Sequence, residues 1–237
     1  MGYDVSFHPI SPDEIQELYF TPLTWIQQGQ EEKVLALAAQ HGIEDFYAEK
    51  YLDTLRVGAE TEPDELFDKS HGFYIAVVQG FFRDYYYTRG SSFSFLMEEK
   101  PEYARYFTPW AQVVPTALPN PAKNQIIENY CSGVYLSPNQ VLQILRDLEQ
   151  EPKVLEDLEK HWSDGQFAVL KKALTAAAEL GTGLLEATEV VEPNPLHPNE
   201  STCYSNLFHC DRDGVYLYID MAMKQIAQAM EQNKSDP

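Results

Sequence analysis

The sequence predicts an α+β fold: a helix-rich single domain in which a few short strands form a small sheet. Three observations predict it. A short apolar strand running into a Ser-Pro helix cap occurs twice, at "DVSFHPISPDEI" and at "GVYLSPNQVLQIL". Segments with helical periodicity outnumber strand-like ones, and the strands stand at the joints between them. A hydrophobic share of 44% over 237 residues supplies a substantial core, enough for folding without a disulfide or metal staple.

Taken in order, "DVSFH" alternates and reads as a strand. Ser11 then caps a helix, with Pro12 at its first position and Glu14 closing a capping box. "EEKVLALAAQHG" is a helix ended by Gly42, and "IEDFYAEKYLDTLR" is a second. A helix is expected from Asp64 through "ELFDKSHGFYIAVVQGFF". The stretch from 73 to 110 holds thirteen of the thirty aromatic residues, and "TPWAQVVPTALPNPAK" has four prolines that forbid regular helix. Ser137, Pro138 and Gln140 repeat the cap grammar before a stripe of Val141, Leu142, Leu145 and Leu148. "EPKVLEDLEKHW" and "DGQFAVLKKALTAAAELG" are helices, the second ended by Gly181, and "TGLLEATEVV" is a strand. "EPNPLHPNEST" is a loop. "DRDG" signals a turn before a last helix with Ile219, Met223, Ile226 and Met230 on one face. The domain divides into a core over 1–189 and an appended C-terminal loop, turn and helix over 190–237, packing on the same domain.

Thirty-seven acidic residues against seventeen Lys plus Arg give a net charge of −20. Such a field repels phosphate backbones and anionic bilayers, so neither nucleic acid nor a membrane is expected as a partner. It attracts a basic protein. Three cysteines, at 131, 203 and 210, argue against a disulfide framework and for a reducing compartment. "MGYDVSFHPI" lacks the basic start and apolar run of a signal peptide, and its loose Met-Gly-x-x-x-Ser pattern has no polybasic support. A cytoplasmic location is therefore expected.

Four stretches together resemble the YfbM-like family of uncharacterised small bacterial proteins: the Met-Gly start with a strand and "SPDEIQEL", "DKSHGFYIAVVQG", "VYLSPNQVLQIL" and "FAVLKKALTAAAELGTGLL". Asp68, Lys69, His71 and Gly72, then Tyr135 to Gln140, then Phe167 to Gly181 carry the resemblance, in pieces over half the chain. It implies a compact cytosolic domain with helices and strands, and no particular activity. Of the shared residues, Asp68 and His71 have side chains suited to chemistry.

"ELFDKSHGFY" places Glu65, Asp68 and His71 at steps of three, which on a helix gives an Asp–His pair able to act as general base or ligand. Asp68 and His71 are the catalytic candidates, against the simpler reading of an ordinary stabilising pair. His197, Cys203, His209 and Cys210 fit no common zinc spacing, and their cysteines are expected to pack inward. "DRDG" lacks the spaced third ligand and distal Glu of a calcium loop. Glu186, Glu189 and Glu192 read as a solvated acidic face, and the aromatic segment as core rather than as a ligand pocket. No Walker loop, G-x-G-x-x-G, G-x-S-x-G or H-E-x-x-H occurs, and no cofactor is expected. The expected function is a protein-binding module, immunity- or inhibitor-like, for a basic partner. The alternative is a small-molecule enzyme or ligand sensor using an Asp68/His71 site.

Overall fold

The computed structural model describes residues 3–61, 69–114 and 125–235, with side chains described as far as Glu231. The first half comprises β1 (Asp4–Ile10), α1 (Pro12–Ile15), α2 (Thr21–Gln27), α3 (Glu31–Gln40), α4 (Asp45–Glu60), α5 (His71–Phe82), β2 (Tyr85–Arg89) and α6 (Phe93–Glu99). The second comprises β3 (Ser132–Leu136), α7 (Pro138–Gln150), α8 (Pro152–His161), α9 (Gln166–Leu180), β4 (Gly183–Thr188), β5 (Val191–Glu192), β6 (Thr202–Cys203), β7 (Cys210–Asp211) and α10 (Arg212–Ser235). The fold is α+β.

Both predicted caps form. Ser11 Oγ accepts from the Glu14 N–H at 3.2 Å, and Glu14 accepts from the Ser11 N–H at 2.8 Å. Ser137 N–H donates to Gln140 Oε1 at 2.9 Å. Between α1 and α2 the chain makes a π turn over Gln16–Phe20. Pro22 follows at once, and its missing N–H breaks the regular ladder there.

The main sheet has the order β3-β4-β1-β2-β7. Its pairs are antiparallel except β2 with β7, which run parallel with Tyr85 beside Cys210. Strand alternation divides the core in two. Ile10, Tyr85, Tyr87, Tyr135, Leu185 and Ala187 face a layer that includes α4 and α5. Val5, Phe7, Tyr86, Val134, Leu136 and Leu184 face the opposite layer of α6 to α9. Eleven of the thirteen aromatic residues between 73 and 110 are buried in these two cores. Among the described residues, no helix is long and apolar enough to cross a membrane.

Four local expectations change. Helix α5 starts at His71, because Ser70 caps it by accepting from the Phe73 N–H at 3.3 Å. Lys69 and Ser70 are not helical, and Asp64 to Asp68 lie outside the described residues. On α7 the buried stripe is Val141, Ile144 and Leu148, while Leu142 is 47% exposed. Steps of three and four from Val141 reach Ile144 and Leu145, and Leu142 lies on the adjoining polar side.

The turn expected at "DRDG" is replaced by a direct passage from β7, which ends at Asp211, into α10, which starts at Arg212. Gly214 is required there by close packing: a Cβ would stand 1.7 Å from the Tyr87 carbonyl oxygen. Nor do Glu186, Glu189 and Glu192 form a solvated face. Glu186 is fully buried on β4, Glu189 is buried, and Glu192 is half-buried. An extended strand puts residue 186 on the same side as Leu184, inside the second core. The proline-rich stretch contains a short helical turn at Trp110–Gln112. Its residues 115–121, including three of the four prolines, fall outside the described set, as do Glu65 and Asp68.

Candidate binding face

His71 is half-buried, and its Nδ1 lies 2.7 Å from the Tyr19 hydroxyl. Burial holds its pKa below the ordinary histidine value. It is therefore an uncharged imidazole tied to a phenol. Its neighbour Lys69 turns away from it, with the ammonium 3.8 Å from the centre of the Tyr204 ring. Asp68, the other catalytic candidate, is outside the described residues.

The cysteine–histidine stretch is dispersed. His197 is exposed on its loop, whereas His209 Nδ1 donates to the Gly80 carbonyl across 2.9 Å. Cys203 and Cys210 flank Tyr85, whose hydroxyl is 3.3 Å from Cys203 Sγ. Burial raises all three thiols, Cys210 to about 12. Such thiols hold their protons at neutral pH and are weak nucleophiles. Among the described residues, no three His, Cys, Asp or Glu side chains are grouped so as to hold a metal ion.

Two polar devices inside the cores escaped the sequence reading. On β1, His8 is fully buried, stacked at 5.0 Å on Tyr85. Its Nδ1 is 2.6 Å from Gln79 Oε1, and its Nε2 is 2.8 Å from Ser6 Oγ. Gln79 Nε2 donates to the Asp84 carbonyl at 3.1 Å. That bond fixes the amide, so Nδ1 donates to Oε1 and Nε2 accepts from Ser6. Burial lowers the His8 pKa to about 3. In the other core, Glu186 accepts from the Phe93 N–H at 2.6 Å and from Ser94 Oγ at 2.6 Å. Burial still pushes its pKa up to about 7, against the pull of those donors. Gly133 leaves room for it, since a Cβ there would stand 2.0 Å from Glu186 Oε1. Both groups are sealed from solvent and hold elements together.

The outer surface is more informative. Glu44, in extended conformation, precedes α4, so the first turn of that helix presents Asp45 and Phe46, and Phe46 is 65% exposed. Glu44, Asp45 and Glu49 are exposed around it. Negative charge at a helix N-terminus is favoured by the dipole, which stabilises this cluster where it stands. Across from α4, a short turn over Leu207–His209 projects Phe208, which is 77% exposed.

That turn is firmly held. Asn206 Oδ1 accepts from the Phe208 N–H at 3.0 Å, and Ser205 Oγ donates to the Val77 carbonyl at 2.7 Å. Between the two elements lies a depression of about 340 Å³ whose lining includes His41, Glu44, Tyr47, Phe82, Phe208 and His209. Phe46 packs edge-on against Tyr47 at 5.1 Å, which ties it to the rim. The chain thus presents two aromatic rings beside an acid-edged hollow. Isolated exposed apolar residues are ordinary, but rings held on rigid supports around a depression suit protein recognition.

Compared with known proteins, the chain matches no family model, no curated protein and no solved structure.

Proposed function

We propose that the chain is a docking module for a basic protein, in the manner of an immunity or inhibitor protein, with Phe46 and Phe208 as its anchors. The observation that carries this reading is the exposure of both rings, Phe208 lining a hollow with Glu44 and Phe46 standing on α4 among exposed Asp45 and Glu49. The rings supply apolar area, and the carboxylates supply selection for positive charge. The net charge of −20 extends that selection over the whole surface and speeds encounter with a cationic partner. The same charge disfavours nucleic acid and anionic membranes. Three free thiols, with no disulfide, support a reducing, cytoplasmic setting for the module.

The enzyme reading has less support. His71 is bonded to Tyr19 and lines neither the hollow nor the groove between α4 and α5, and Asp68 lies outside the described residues. The resemblance to YfbM-like proteins concerns fold and carries no activity.

Affinity capture with the wild-type chain and with the Phe46→Ala/Phe208→Ala double variant tests the proposal. The wild type should retain a protein of basic isoelectric point, released as salt approaches ~0.5 M, where screening lengths shrink to a few ångströms. The double variant should keep its thermal transition and weaken capture by about thirtyfold or more, the effect of removing anchors worth roughly 2 kcal/mol. Retention that survives both truncations, or a captured protein that is acidic, overturns it.

A further inference from the structure

A second depression, of about 260 Å³, lies between α4 and α5 and differs in chemistry from the hollow beside Phe208. Its walls are apolar and aromatic, supplied by Val57, Phe73, Tyr74, Val77 and Tyr204. Lys50 and Lys69 also line it. In a chain with twenty more acidic than basic residues, two lysines at one small groove concentrate positive charge. Among the described residues, neither lysine makes a carboxylate ion pair, whereas Arg56, Arg83, Arg89, Lys100, Arg105 and Lys172 all do.

The two ammoniums rest instead on aromatic rings. Lys69 Nζ stands 3.8 Å from the Tyr204 ring centre and 5.2 Å from that of Tyr130. Lys50 Nζ stands 5.4 Å from the Phe46 ring centre, with a long 3.5 Å bond to the Cys203 carbonyl. Among the described residues, Asp53 is the one carboxylate lining the groove, and Arg56 engages it at 2.7 Å. A cation resting on a partly exposed ring is held weakly, whereas a charge-assisted hydrogen bond to an anion is a stronger interaction. An anion entering the groove therefore outcompetes the rings for both ammoniums. A volume of 260 Å³ suits a ligand at the small end of the range.

We propose that this groove binds a small amphiphilic anion, an aromatic carboxylate, with Lys50 and Lys69 holding the carboxylate and Phe73, Tyr74, Val77 and Tyr204 holding the ring. The groove meets the docking face at Phe46, whose ring supports Lys50, and is separate from Phe208, which lines the other hollow.

The probe is para-trifluoromethylbenzoate, titrated into the full chain and followed by fluorine NMR, with para-trifluoromethylbenzyl alcohol as its uncharged counterpart. The acid should bind saturably, and the alcohol should bind at least tenfold more weakly. Lys69→Met and Lys50→Met keep the apolar stems and remove the charges; each should weaken the acid by about tenfold, with unchanged circular dichroism. Phe208→Ala, which touches neither lysine, should leave acid binding within about twofold. The proposal is overturned if the acid does not saturate, if the alcohol binds equally well, or if neither lysine change weakens the acid.

Discussion

Glu186 is the residue whose chemistry departs furthest from its appearance in the sequence. With a pKa near 7 in the fold and an ordinary value of 4.5, the folded chain holds a proton there that the unfolded chain has released. The contribution of Glu186 to stability is therefore greatest below about 4.5 and falls as pH rises to about 7, by roughly 3 kcal/mol in all. His8 works in the opposite sense. Its pKa falls from 6.5 to about 3 in the fold, so its contribution is lost as pH drops through that interval. The two windows overlap, and the wild-type profile alone does not separate them. Urea unfolding of wild type and Glu186→Gln at pH 5 and pH 8 does. The stability difference between the two proteins should shift in favour of Glu186→Gln by about 3 kcal/mol from the lower to the higher pH; a constant difference would mean that Glu186 keeps an ordinary pKa.

At the scale of elements, helix α7 separates what periodicity tells from what it leaves open. Ile144 is fully buried while Leu142, two positions earlier, is 47% exposed. Ile144→Ala should cost about 2–5 kcal/mol in chemical denaturation, and Leu142→Ala under about 1 kcal/mol. Similar costs at the two positions would contradict the orientation of α7. Gly214 tests the docking of α10 on β2 in the same way. Gly214→Ala should destabilise by at least 1–3 kcal/mol or detach the start of α10, because its neighbour is a backbone carbonyl that side-chain rotation does not move. Hydrogen exchange over the first turns of α10 would report which.

Caps and helix-ending glycines were legible in the sequence because they act on their own neighbours. Ser11, Ser137, Gly42 and Gly181 all behave as local chemistry dictates. The start of α5 was not, because Ser70 caps a helix whose apolar run seemed to continue back to Asp64. Glu186 was not legible either: a three-residue acidic step looks helical and solvated, and only pairing of β4 between β3 and β1 buries it. Tyr47, the neighbour of Phe46, and Phe208 line one hollow only through tertiary packing. Phe208 sits inside the very stretch that draws notice for its histidines and cysteines.

For the whole molecule, two helical layers enclose a sheet whose buried His8 and Glu186 are hydrogen-bonded within the cores, which leaves the distinctive chemistry on the surface. Acidic charge is spread over that surface, and the exposed rings Phe46 and Phe208 mark one face of it. The central claim is that this face docks a basic protein. A photo-reactive phenylalanine analogue at position 208, in the otherwise unchanged chain, tests it directly; the same analogue at the exposed position 142 on α7 is the control. One predominant cross-linked partner is expected at position 208, basic in isoelectric point, with a yield that falls as salt rises and is absent from position 142. Equal labelling at the two positions, or a salt-insensitive acidic partner at position 208, would contradict it.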